Sequence, residues 1–142
     1  MIVDRYAAVD LPRTTTAAGA ALLLGLGGVH LYVLLREAGL PNYLRVGFGF
    51  LIACCVVAAA LVCGSRTARA GWALGGLVCL AFLVVYVVSR LAGLPGLPEV
   101  RGWWDSAPGS VAGVCALTFL AVITAIVLGI TVAHPRAQHW HD

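Results

Sequence analysis

The chain predicts an all-α fold, a bundle of four transmembrane helices, and three observations carry that prediction. Hydrophobic residues make up 61% of it and charged residues only 11%, with a mean hydropathy of +0.97. A soluble domain is closer to half apolar and a quarter charged. Four apolar stretches, at about 17–35, 46–63, 72–89 and 109–133, each come near the ~20 residues that a helix needs to cross ~30 Å of hydrocarbon. None carries Asp, Glu, Lys or Arg away from its ends. The intervals are too short for a further domain, so residues 1–142 form a single integral membrane unit.

The first stretch follows MIVDRYAAVDLPRTTT, which holds Asp4, Arg5, Asp10 and Arg13. Its apolar run is longer than a usual signal core and ends in REAGLP with no small-x-small cleavage site, so it reads as a retained helix. The second and third stretches are joined by GSRTARA, a short connection with two arginines and no acid. The fourth follows the longest connection, GLPGLPEVRGWWDSAPGS. There Trp103 and Trp104 read as an aromatic belt, while Pro95, Pro98 and Pro108 are expected to hold the loop extended. Small residues four apart mark the faces that pack: Ala21 and Gly25, Gly71 and Gly75, Gly109 and Gly113, and Ala121, Ala125 and Gly129. Leu24 and Gly28 leave a groove beside the first pair.

All nine basic residues are Arg. Arg5, Arg13, Arg66, Arg69 and Arg136 fall on one side of the spans, against Arg36, Arg45, Arg90 and Arg101 on the other. Short loops weigh most in setting topology, and Arg66 and Arg69 sit in one, so both termini are expected in the cytoplasm of a plasma-membrane protein. A net charge of +3 without a basic run excludes nucleic-acid binding as an expectation.

One phrase occurs twice. Residues 32–41 read YVLLREAGLP and residues 86–95 read YVVSRLAGLP, seven of ten positions matching at an offset of 54. Each element has a structural use. Tyr32 and Tyr86 suit the membrane interface, and Arg36 and Arg90 can snorkel outward from a last turn. Gly39 and Gly93 can take a left-handed cap, and Pro41 and Pro95 end the helix. Duplication of two helical hairpins and convergence on one terminator explain the phrase equally well. Either way, both arginines are expected at similar depth, with their heads in the interface.

His30 is the one ionisable side chain of its kind inside a span. It is therefore the centre of a candidate polar site, His30, Tyr32, Arg36, Tyr86 and Arg90, and is expected to face inward. A neutral imidazole bonded to a carbonyl or to Tyr86 would serve packing alone. Haem ligation is not expected, with no second buried His and Met1 the sole Met. Cys54, Cys55, Cys63, Cys79 and Cys115 lie in or beside apolar helices, without a C-x-x-C, and read as small hydrophobes. The adjacent pair Cys54–Cys55 resembles the ion-relay cysteines of small mercury-transport proteins, but neighbouring helical residues point about 100° apart. His134, His139 and His141 stand in a tail with Trp140 that reads as an interfacial anchor rather than a metal site.

The phrases GGVHLYVL in the first helix and YVVSRLAGLPG at the end of the third, before an acidic loop containing Trp, resemble a family of small, uncharacterised four-helix membrane proteins of actinobacteria. The resemblance covers about 13–108 and departs at Val33-Leu34, where such proteins carry Trp. It implies the architecture and the plasma membrane, and no activity. Small multidrug transporters need an embedded carboxylate and quinone-linked thiol oxidoreductases need C-x-x-C; the spans hold neither. With no nucleophile–base pair, phosphate loop or metal cluster, an enzyme is not expected, nor a cofactor. The function expected is that of a non-enzymatic accessory or self-associating subunit, with the lipid bilayer, other membrane subunits or itself as partners. The alternative is a small-solute or metal binding or transport protein with an outward-facing vestibule near His30.

Overall fold

A computed structural model of the chain describes residues 2–128, with side chains from residue 13 onward. Four helices carry it: α1 (Ile2–Arg36), α2 (Asn42–Cys63), α3 (Ala68–Ala92) and α4 (Ala107–Val127). Within them, Arg13–Arg36, Asn42–Cys63, Ala68–Ala92 and Ala107–Val127 are long and apolar enough to cross a membrane. At 1.5 Å per residue these segments measure about 32–38 Å, enough for the hydrocarbon core with a modest tilt. The all-α class is as the hydropathy pattern predicts. The helices run further than the apolar stretches do, because the polar residues at their ends leave the internal backbone hydrogen bonds intact. The last part of the fourth stretch lies outside the described residues.

Each helix packs on the next, and α4 closes the ring against α1. Glycines set the close approaches. Gly27 of α1 faces Cys55 of α2, Gly71 of α3 faces the backbone of Leu61 and Val62 in α2, Gly75 of α3 faces Phe119 of α4, and Gly25 of α1 faces Cys115 of α4. These pairings make sequential helices antiparallel. Across the ring, Trp72 of α3 lies on Gly19 of α1 and stacks on Phe119, 5.1 Å between ring centroids. Hence α1 and α3 run parallel and finish at one end, called distal here. Connections 37–41 and 93–106 lie distally and connection 64–67 proximally. Leu23, Leu26, Cys55, Ala58, Val62, Cys79, Ala116 and Phe119 fill the axis. Lipid tails are as apolar as these side chains, so dispersion and close backbone approach hold the ring rather than water exclusion.

The distal connections end differently. After α1, the chain turns through residues 37–41 and enters α2 directly behind Pro41, and Arg45 Nη2 donates to the Ala38 carbonyl at 2.6 Å. Positive φ among the described residues is confined to Gly93 (+80°), Gly96 (+78°) and Gly102 (+76°), so Gly39 does not adopt the left-handed cap expected of it. After α3, those three glycines fold residues 93–106 back over the bundle. Leu94 and Leu97 exchange backbone bonds, Pro98 opens a 3-10 turn through Val100, and the Tyr43 hydroxyl donates to the Pro95 carbonyl. Pro108 belongs to the first turn of α4, behind the cap in which Ser106 Oγ accepts from the Gly109 N–H at 3.1 Å. The loop is therefore compact, not held extended as the prolines suggested. Two of the three prolines start helical turns, where a missing N–H costs nothing.

Candidate functional site at the distal end

Parallel helices α1 and α3 present matching core-facing positions, and their spacing decides which way the repeated phrase looks. Gly19, Leu23, Leu26, Gly27 and His30 face the axis from α1. Gly71, Gly75, Val78, Cys79 and Phe82 take the corresponding places in α3, each 52 residues on. The phrase repeats at 54. Two residues of slip on a helix of 3.6 residues per turn amount to about 200°, so the two copies point to opposite sides.

The consequences are visible at the shared Tyr and Arg positions. Tyr86 leans on Phe82 (5.7 Å between centroids) and meets Trp104 edge-on (6.1 Å). Arg90 is 8% exposed, with its guanidinium 4.8 Å from the Tyr86 ring and 5.8 Å from that of Trp103. Its Nη1 donates to the Val100 carbonyl at 3.3 Å, and its own carbonyl accepts from the Gly102 N–H at 2.8 Å. Tyr32 and Arg36, by contrast, are exposed and, among the described residues, pair with each other, 5.6 Å from guanidinium to ring. Both arginine heads were expected to reach into the interface; Arg36 is exposed, whereas the expectation is corrected for Arg90, which the folded-back loop covers.

His30 faces inward. It is 6% exposed and stands edge-on to Phe48 of α2 (5.0 Å, 77°) and Phe82 of α3 (5.1 Å, 87°). Its Nδ1 lies 2.8 Å from the Leu26 carbonyl. A carbonyl only accepts, so Nδ1 carries a proton and donates. The bonding partner is the preceding turn of its own helix rather than Tyr86. Edge-to-face contacts set a positive ring edge against a negative aromatic face, which helps fix the orientation of the imidazole.

Five candidate residues thus form two groups and not one vestibule. His30, Tyr86 and Arg90 lie along a column of rings from the core to the distal loop. Tyr32 and Arg36 lie on the outer wall, where Tyr32 joins Gly25, Gly28, Val29, Ala107, Pro108 and Val111 in lining an open groove of about 530 Å³ between α1 and α4. That groove does not include His30. Phe48, Phe82 and Val100 complete the column and were not singled out from the sequence; Gly109, which joins them, was singled out only as a packing position. One signal for Phe82 was present: Phe82, Tyr86 and Arg90 are spaced by four along one helix face, while Gly28 takes the place of Phe82 before Tyr32 and Arg36.

The cysteines are free thiols, Cys55 and Cys79 buried and Cys63 exposed. Among the described residues no group of three or more His, Cys, Asp or Glu is placed to hold a metal ion. His134, His139, His141 and Trp140 lie outside the described residues. Comparison with known protein families, with curated proteins and with solved structures returns no match for this chain.

Proposed function

We propose that the chain is a non-enzymatic, multi-pass subunit of a plasma-membrane assembly, with both termini cytoplasmic, and that it acts by helix packing. The actinobacterial resemblance of its two phrases fits that setting. The observation that carries the reading is the groove between α1 and α4. Its floor holds Gly25 and Gly28, and a Cβ on Gly28 would meet nothing within 4 Å. Gly19, Gly27, Gly71 and Gly75 are already used for contacts within the chain, and Gly47, Gly49 and Gly113 are as open as Gly28 but do not line this groove, which leaves an approach for one more backbone. A further transmembrane helix is the occupant that suits it: the lining is apolar, it lies within the spans, and small residues there let helices come close. α4, on one side of the groove, is the least buried of the four spans.

Affinity purification from native membranes in a mild detergent, followed by mass spectrometry, tests this. A membrane protein, or a second copy of the chain, should co-purify in stable proportion. Recovery as a monomer without companions, together with a bound small solute, would favour a binding or transport role instead.

A further inference from the structure

Arg90 is a buried cation without an anion. Its side chain is enclosed to more than nine-tenths, and its Nε is sealed from solvent with no hydrogen-bond partner. Of the five N–H donors on a guanidinium, a single long bond, to the Val100 carbonyl, is formed among the described residues. Among the described residues no carboxylate pairs with it, although Glu99 and Asp105 belong to the same folded loop. The Tyr86 and Trp103 rings interact with the charge but do not neutralise it.

A second positive feature faces the same spot. Nη2 points at the first turn of α4, 3.2 Å from where a Cβ on Gly109 would stand. That helix end carries the positive pole of a 21-residue dipole. It adds field more than donors, since Pro108 has no N–H and the Gly109 N–H is taken by Ser106. Guanidinium and helix end are thus turned toward one another beside the Ser106 hydroxyl; the last carbonyls of α3 offset part of the charge, but among the described residues no carboxylate pairs with it. Both sit at the rim of the spans among Tyr86, Trp103 and Trp104, the aromatic residues that mark headgroup depth.

We propose that Arg90 is the anchor of a phosphate site, at which the planar guanidinium and the N-terminus of α4 hold the phosphate of an anionic glycerophospholipid. Guanidinium favours oxyanions with two oxygens to offer its fork, and phosphate is the oxyanion concentrated at this depth. A headgroup with net negative charge leaves the pair neutral, whereas a zwitterionic one brings its own cation into a site that is already positive. The same chemistry would accept free inorganic phosphate. The inference rests on the bilayer reading of the four spans, but not on any partner helix.

The test uses the full chain purified in neutral detergent, titrated with phosphatidylglycerol, phosphatidylcholine or inorganic phosphate. Retained lipid is followed by native mass spectrometry, and the environment of Trp103 and Trp104 by fluorescence. Phosphatidylglycerol should be retained about tenfold better than phosphatidylcholine, a preference that Arg90→Gln abolishes, Arg90→Lys keeps in part, and Arg66→Gln at the proximal end leaves intact. A response to inorganic phosphate alone would support the site with a soluble anion as its source. Equal retention of both lipids by the native chain with no phosphate response, or a preference that survives Arg90→Gln, would overturn it. Should Arg90→Gln not fold, the native chain's lipid preference and its fluorescence change still decide. Recovery of the expressed protein in the soluble fraction would sink the bilayer reading, whereas membrane-bound protein indifferent to headgroup sinks only the site.

Discussion

Tyr32 and Tyr86 open the two copies of one phrase and face opposite sides of the helix wall: Tyr32 lines the outer groove beside α4, and Tyr86 lies between Phe82 and Trp104 under the distal loop. Removing the ring at each position should therefore have unequal effects. Tyr86→Ala takes a packed ring away from Phe82, Trp104 and Arg90, and should cost about 2–4 kcal/mol as a fall in thermal midpoint. Tyr32→Ala should change it by under about 1 kcal/mol. Equal losses would contradict the opposed facing.

His30 tests the column at its inner end. His30→Ala deletes two edge-to-face contacts and opens a cavity between Phe48 and Phe82, so it should destabilise the bundle by about 2–4 kcal/mol. Arg36→Ala, on the exposed wall, should be close to neutral. Thermal unfolding followed by tryptophan emission separates the two, and a neutral His30→Ala would show that the imidazole is not a packing element.

Four spans, their antiparallel order and the packing role of Gly25, Gly71, Gly75 and Gly109 were legible in the sequence, because run length and small-residue spacing report directly on span number and close approach. The unlike fates of Arg36 and Arg90 were not. Their local phrases are nearly the same, and what separates them is non-local: a two-residue slip between the phrase and the core register, and a loop whose three positive-φ glycines fold it back over one copy. Gly93 and Gly39 carry the same neighbours, Ala before and Leu-Pro after, yet only Gly93 takes a positive φ. The candidate site was read as five residues around one opening because a shared phrase suggested a shared face.

Glycine substitutions should sort by what a methyl group meets. Gly71→Ala drives a Cβ to within 2.7 Å of the Leu61 carbonyl carbon and 2.9 Å of the Val62 Cα. Backbone cannot step aside as a side chain can, so α2 and α3 should separate, with a loss of about 1–3 kcal/mol and poor accumulation in membranes. Normal accumulation and stability of Gly71→Ala would mean that the α2–α3 contact is looser than described.

Replacing Cys54 and Cys55 together by Ala should leave accumulation nearly unchanged, since small residues replace small ones beside Gly27. Metal tolerance of the expressing cells is the discriminating assay. A drop in tolerance to soft metals in the double variant would reopen the relay reading of that pair.

The proposed side assignment rests on Arg66 in the proximal connection and Arg69 in the first turn of α3. On a cysteine-free background, a cysteine at position 99 should react with an impermeant maleimide in intact cells, and one at position 67 only after permeabilisation. Both positions are exposed and lie in opposite connections. The reverse pattern would place the termini outside.

The packing reading is tested most directly at Gly28, where a Cβ meets nothing within 4 Å and a larger side chain would project into the α1–α4 groove. The measurement is co-purification from native membranes, comparing the native chain with Gly28→Leu at matched accumulation and thermal midpoint. The account predicts that Gly28→Leu folds normally yet loses its protein companion, or its second copy, by about tenfold or more. Companions retained in full by a stable Gly28→Leu would contradict it, and so would a native chain that brings none down.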